Sequence, residues 1–210
     1  MENILCSSAS AISELIFTHP IDYYKTLKQN NIKNIYKIIY KNPYKGVSSR
    51  LVGIVPMRIS FWSTLDYLKN NKYNPIIIPL ITSTIQTILD VPIEQAKTNL
   101  MNRKNITFIP KYWLKGSINH YARNILFTYG FFFATTNIDN PLFAGLFGGF
   151  IGSIISHPFD SLKTFYQSGN NNPQINYKFL YRGLIPRTSV SFISMGVGFS
   201  TFSFFKTLFI

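Results

Sequence analysis

Apolar residues along this chain fall in six stretches of helix length, approximately 3–24, 48–69, 75–98, 117–137, 140–164 and 187–208. A helix of about 20 residues crosses the hydrocarbon layer of a bilayer, so each stretch is long enough, or nearly so, to span one. Each also contains a few polar side chains, as expected of a helix with one lipid-facing side and one packed or wet side. Small residues dominate between Pro141 and Ser156, with Gly145, Gly149 and Ser153 at four-residue spacing, which lets neighbouring helices approach closely. The pattern predicts an all-α membrane protein with six transmembrane helices. Met1-Glu2-Asn3 is not the basic start of a cleavable leader.

Charge lies mainly between the apolar stretches and gives them a direction. Lys25, Lys28, Lys33, Lys37, Lys41 and Lys45 occupy the first long connection, and Lys97, Arg103, Lys104, Lys111 and Lys115 the second. Lys163, Lys178 and Arg182 belong to the third, whereas the short opposite loops hold only Lys69 and Lys72. The basic-side bias therefore puts the three long connections in one compartment and both termini in the other.

Composition narrows the function classes. The 210 residues carry 21 Lys and Arg against 8 Asp and Glu, a net charge of +13, which calls for an anionic partner. Nucleic acid is disfavoured because the bases alternate with apolar helices instead of lining one exposed face. Disorder is excluded by 46% apolar and 16% aromatic content. Cys6 is the one cysteine and His19, His120 and His157 have no ligand spacing, so no disulfide scaffold, metal or cofactor is expected. No nucleophile–base arrangement points to an enzyme. A mean hydropathy of only +0.10 requires several helix faces to be wet.

The strongest signal is an internal repeat. Pro20-Ile21-Asp22-Tyr23-Tyr24-Lys25, Pro92-Ile93-Glu94-Gln95-Ala96-Lys97 and Pro158-Phe159-Asp160-Ser161-Leu162-Lys163 share one pattern of proline, acid and lysine. Gln29 and Gln167 follow at equal offsets, with Met101 in the second copy. Each copy leads to a residue–basic–glycine element, Tyr44-Lys45-Gly46, Leu114-Lys115-Gly116 and Tyr181-Arg182-Gly183, the glycine lying 26, 24 and 25 residues after the proline. An acid and a base three residues apart share a helix face, and charges at membrane depth must be paired. Three such helices around one axis would place a ring of interhelical salt bridges at one end of a central cavity, and a ring of that kind can act as a gate.

These motifs resemble those of the mitochondrial carrier family over nearly the whole chain, in a shortened form. The resemblance implies three tandem two-helix repeats with threefold pseudo-symmetry, residues 1–70, 71–138 and 139–210, forming one transmembrane domain. It implies a monomer in the mitochondrial inner membrane, with both termini towards the intermembrane space and one central site reached alternately from each side. The matrix gate it implies pairs Asp22 with Lys97, Glu94 with Lys163 and Asp160 with Lys25, braced by Gln29 and Gln167. Cardiolipin contacts would fall at Lys45, Lys115 and Arg182. Richness in Asn, Ile, Lys and Tyr suits an AT-rich genome, such as that of a parasite, a protist or a giant virus addressing its host's mitochondria.

The family's second gate, an aromatic–acid–x–x–base motif on the even helices, is incomplete here. Its positions read Leu65-Asp66-Tyr67-Leu68-Lys69, Thr135-Thr136-Asn137-Ile138-Asp139 and Phe202-Ser203-Phe204-Phe205-Lys206. Asp66 and Lys206 remain able to pair and Asp139 stands where a base is expected, so a weak closure on the cytoplasmic side, with the open state dominant, is the expectation. The family's substrate contacts map onto Gly53-Ile54, Arg123-Asn124 and Val190-Ser191. Arg50, His120 and Arg187 lie one turn nearer the matrix, and Arg58 lies above Gly53. Arginine's planar fork suits carboxylate and phosphate, and up to four arginines favour a polyanion. The expected function is therefore exchange of anionic metabolites, nucleotides first and carboxylates such as oxo acids second. A transport-inactive membrane scaffold is the remaining alternative.

Overall fold

The structure is a computed structural model that describes residues 2–29, 35–44, 47–101, 116–167, 176–181 and 183–209. Within them there are six long helices, α1 (Glu2–Gln29), α3 (Val47–Asn70), α4 (Ile77–Met101), α5 (Ser117–Asn137), α6 (Pro141–Gln167) and α8 (Leu184–Phe209). Two short ones, α2 (Ile35–Lys41) and α7 (Tyr177–Leu180), lie on the connections, and the described residues include no strand. Three stretches, Glu2–Ile21, Pro141–Lys163 and Tyr177–Phe209, are long and apolar enough to cross a membrane, and Ile77–Ile93 is a shorter apolar one.

The apolar stretches predict helices that end too early on the side of the long connections. α1, α4 and α6 run on beyond the stretches to Gln29, Met101 and Gln167, with good helix formers such as Leu27, Lys28, Leu100 and Met101 among the added residues. Pro20, Pro92 and Pro158 consequently lie inside helices, each withdrawing one backbone donor. The first connection holds the two-turn helix α2 (Ile35–Lys41). The third connection holds the single turn α7, capped by Asn176, whose side chain accepts from the Phe179 amide at 2.7 Å.

Each long helix packs on its neighbours in sequence, α1 on α3, α3 on α4, α4 on α5, α5 on α6 and α6 on α8, and α8 returns to α1. The result is a closed ring. The turns at residues 71–76 and 138–140 and the two chain ends lie at one end of it, called here the terminal end.

The ring is polar inside and apolar outside. On α1 the buried polar positions are Ser7, Ser10, Glu14, Thr18 and His19, beside the small or apolar Cys6, Ala11 and Leu15, while Leu5, Ile12 and Ile16 are exposed. α4 buries Thr82, Ser83, Gln86, Thr87 and Asp90 and exposes Leu80, Ile85, Ile88 and Leu89; α6 buries Ser153, Ser156 and His157 and exposes Phe143, Phe147, Phe150 and Ile155. Burying one such apolar side chain is worth about 1.5–3 kcal/mol in water, and here these chains are left outside. Lipid, which solvates them without that loss, is the solvent in which this arrangement is favourable.

Glycine sets the tightest helix contacts. A Cβ on Gly149 would run into the Ser191 carbonyl of α8, and one on Gly145 into that of Met195. On the adjoining face, a Cβ on Gly152 would lie 2.7 Å from the Phe127 carbonyl oxygen of α5. α6 therefore presents one small-residue face to each neighbour; the Gly145–Gly149 face is the one the spacing predicts, and the Gly152 face adds to it. Gly149→Val should force α6 and α8 apart at a cost of about 1–3 kcal/mol. A fall in the thermal midpoint of the detergent-solubilised protein checks this, and an unchanged midpoint would show that the contact carries no constraint.

Candidate functional site

The repeat motifs make matching local structures wherever they are described. Gly116 and Gly183, the glycines of the second and third residue–basic–glycine elements, have φ of 80° and 85° just before α5 and α8. That left-handed conformation is strained for a residue with a Cβ, which is why glycine recurs at this offset. In the first repeat His19 stacks on Tyr44 with centroids 6.0 Å apart; in the third His157 faces Tyr181 at 6.1 Å. These are the residues before the repeat proline and at the start of the residue–basic–glycine element, so each pair ties an odd helix to the connection that follows it. The Tyr44 hydroxyl also donates to the Ile16 carbonyl at 3.2 Å, and the Ser161 hydroxyl to that of Leu180 at 2.8 Å.

Towards the connection end of the ring a charged cluster spans α4, α5, α6 and α8. Arg123, on α5, donates through Nη1 to Asp160 of α6 at 3.3 Å. Arg187, on α8, reaches the other oxygen of Asp160 at 3.4 Å, Ser156 Oγ at 3.0 Å and His157 Nδ1 at 3.3 Å. Two guanidinium groups thus converge on one carboxylate. Arg123 also donates to Asn124 Oδ1, from Nη2 at 2.7 Å and from Nε at 3.1 Å, and its Nη2 lies 2.9 Å from His120 Nε2. A guanidinium only donates, so Nε2 accepts from Arg123 when the imidazole proton is on Nδ1; with the proton on Nε2 the ring faces Asp90 Oδ2, 3.7 Å away. Asn124, buried, gives its amide to Thr87 Oγ1 at 2.9 Å and to Asp90 Oδ2 at 3.4 Å. Arg123 thus meets acids from two other helices, Asp160 of α6 and, at 3.9 Å, Asp90 of α4.

A second cluster lies deeper along the axis. Arg58 of α3 holds Glu14 of α1 with two bonds, Nε to Oε2 at 2.5 Å and Nη2 to Oε1 at 2.6 Å, and Nη2 also reaches Ser194 Oγ of α8 at 3.1 Å. Ser194 completes the triangle by donating to Glu14 Oε1. With side-chain exposures of 13% and 4% the pair is inside the ring and well matched. Arg58 was expected to face substrate; instead it is committed to Glu14. Sequence reasoning missed both Glu14 and Asp90, although each is an acid within an apolar stretch. An ionisable side chain inside a spanning segment is a functional candidate by default, and both acids meet that rule.

Beyond the second cluster the ring is closed by aromatic side chains. Phe61 and Trp62 of α3 and Phe131 of α5 are wholly buried, and Phe199 and Phe202 of α8 stack on Trp62 at 5.7 and 5.6 Å. Outside this layer Lys206 donates to Asp66, and Lys69 binds Thr135 Oγ1 at 3.2 Å with its ammonium 5.1 Å from the Phe132 ring centre. At this end, where weak closure is the expectation, one full ion pair remains and five aromatic rings pack beneath it. Asp139 takes no part in it: α5 ends at Asn137, and Asp139 is exposed in the turn to α6.

Trp62→Ala should break the layer. Buried Cys6, which belongs to the same core, should then become reactive to a membrane-impermeant maleimide applied from the terminal side. Labelling no faster than in the native protein would mean the layer is not the seal.

Gly53 and Ile54 sit half-buried on α3, where a Cβ on Gly53 would meet Ile93 of α4 at 3.5 Å. Lys163 is buried on α6, one turn beyond Asp160. The side chains of Asp22, Lys25, Gln29, Arg50, Glu94, Lys97 and Gln167 lie outside the described residues, as do Lys45, Lys115 and Arg182, so the gate pairings and lipid contacts expected of them are not described. Among the described residues no group of three His, Cys, Asp or Glu side chains is placed to hold a metal ion.

The fold and site thus define an all-helical protein, with helices apolar enough for a membrane, that encloses buried charge within a ring. No family model, curated protein or solved structure matches the chain.

Proposed function

We propose that the protein is a membrane transporter of the mitochondrial carrier type that moves small anionic metabolites along the axis of its helix ring by alternating access. The observation that carries this reading is the pair Arg123 and Arg187 converging on Asp160 inside a ring whose outer surface is apolar. Buried guanidinium groups are costly and their partners could have been apolar, so their presence on the axis fits a site that exchanges an internal carboxylate for a substrate anion. The three repeats supply the rest: six spans in three pairs, related by a threefold pseudo-axis, with the proline–acid–lysine ends forming the gate opposite the aromatic seal. The structure corresponds in this reading to a state closed at the terminal end. The inner membrane of the mitochondrion is the location the resemblance proposes, with the termini on its outer side.

Nucleotides were favoured by the number of arginines available. With Arg58 bound to Glu14, the described arginines that converge on Asp160 are Arg123 and Arg187, the number a small carboxylate uses. That geometry favours the second reading, a carboxylate or oxo-acid carrier. Counter-exchange in cardiolipin-containing proteoliposomes, comparing labelled oxoglutarate and malate with labelled ADP, tests both. Carboxylate exchange is the expected result, nucleotide exchange would restore the polyanion reading, and exchange of none would leave a scaffold.

A further inference from the structure

Two acceptor oxygens of α4 are buried inside the ring without a donor. Gln86 is 9% exposed and its Oε1 has no hydrogen-bond partner; Asp90 is wholly buried and its Oδ1 has none. The two side chains are four residues apart, so they share one face of the helix and lie about 5.4 Å, one turn, apart along it. That is the inward face, which also carries Thr82, Ser83 and Thr87. A buried acceptor left without a donor costs free energy, and such atoms are rare in folded proteins outside sites that a ligand or water completes.

Both oxygens adjoin the anion cluster. The other oxygen of Asp90 faces α5, with Asn124 Nδ2 at 3.4 Å and His120 Nε2 at 3.7 Å. Asn124 in turn accepts two bonds from Arg123, and Thr87, beside Gln86, accepts from the Asn124 amide. One side chain, Asn124, therefore stands between the guanidinium and the α4 face. An anion that takes Arg123 from Asp160 brings the carbon chain behind its carboxylate against that face. A group on the first carbons of the chain then meets Asp90, and Gln86 lies one turn further towards the terminal end.

We propose that Gln86 and Asp90 are specificity-determining residues that select carboxylates whose carbon chain carries a hydrogen-bond donor, a hydroxyl or an ammonium, over those carrying an oxo group. The inference rests on the transport reading above and narrows its substrate class. A hydroxyl or ammonium donates to the two oxygens and completes them. An oxo oxygen only accepts, so it sets lone pair against lone pair, and an unsubstituted chain leaves both acceptors as they were. A site built to hydrogen-bond its ligand rejects the analogue lacking that bond more sharply than an apolar pocket discriminates by size. Arg123 and Arg187 hold the carboxylate of every such acid alike, so the choice falls to α4.

The test is counter-exchange by the full chain in cardiolipin-containing proteoliposomes. The probes are four five-carbon dicarboxylates that differ only at the second carbon: 2-hydroxyglutarate, glutamate, 2-oxoglutarate and glutarate. The native protein should exchange the hydroxy or the amino acid with a kcat/KM about tenfold or more above those of 2-oxoglutarate and glutarate. Gln86→Met, similar in length but without the acceptor, should shrink that preference by raising KM for the donor-bearing probe alone. The preference is a ratio within one preparation, so it does not depend on how much of a variant folds. Asp90→Asn keeps an acceptor oxygen but loses the charge; it should spare a preference for the hydroxyl and abolish one for the ammonium, which tells the two donors apart. Equal exchange of all four by the native protein, a preference for 2-oxoglutarate, exchange of ADP in place of any of them, or a fall in Gln86→Met shared equally by all four overturns the selection while leaving the transporter standing. Exchange of neither these acids nor ADP overturns the transport reading and the selection with it.

Discussion

Arg123→Ala should reduce exchange of the transported anion by a hundredfold or more, the largest functional effect expected of any single substitution in the ring. The guanidinium donates to Asp160 at 3.3 Å and to Asn124 at 2.7 Å and lies 2.9 Å from His120, so its loss removes the substrate's counter-charge and unties α5 from α6. Taking one partner from a buried ion pair costs about 3–5 kcal/mol, which at 1.4 kcal/mol per factor of ten more than accounts for a hundredfold loss. Part of that cost falls on folding, so alanine alone does not identify a binding residue. Arg123→Lys separates the two. Lysine keeps the positive charge that Asp160 and Asp90 require but has no planar fork with which to hold a carboxylate by two bonds. The thermal midpoint of the lysine variant should stay close to the native value while its initial exchange rate falls steeply. Native exchange in the lysine variant would make Arg123 a structural counter-ion only.

The same residue shows how far the sequence could be read. Helices, their order and their repeat were legible because hydropathy and the spacing of Pro, acid, Lys and Gly are properties of one strand of chain. The inward positions of Arg123, Asn124 and Arg187 were legible for the same reason, each lying at a fixed offset from Gly116 or Gly183. What these residues bind was not legible. Asp160 is 37 residues from Arg123 and Glu14 is 44 from Arg58, and choosing among the acids of a ring needs the helix rotations that only packing sets. The aromatic layer was not legible for a related reason. Counting charges on the even helices ignores Phe61, Trp62, Phe131, Phe199 and Phe202, whose convergence depends on three helices meeting and leaves no mark in any one of them. Asp139 was placed on α5 by the repeat pattern, whereas that helix ends two residues earlier, at Asn137.

Glu14→Gln should be the most destabilising of the conservative substitutions, by about 3–5 kcal/mol. The change keeps the size of the side chain and its hydrogen bond with Ser194, but it strands the Arg58 guanidinium beneath the aromatic layer with no anion in contact. Removing both charges should behave differently. In Glu14→Met with Arg58→Met, flexible apolar chains of similar length fill the space, and replacement of a buried pair by packed apolar groups is neutral or even stabilising. Thermal unfolding in detergent should therefore show a large drop for the single variant and recovery for the double one. A double variant no more stable than the single would mean that Ser194 and the rest of the triangle depend on the charges and not on the space they fill. Transport by the double variant then decides what the pair is for. Arg58 and Glu14 lie between the anion cluster and the Trp62 layer, so an anion passing along the axis must cross their level. If the pair opens during the cycle to hand the anion through, the recovered protein will be stable and slow. Native transport rates in a stable double variant would reduce it to a brace between α1, α3 and α8.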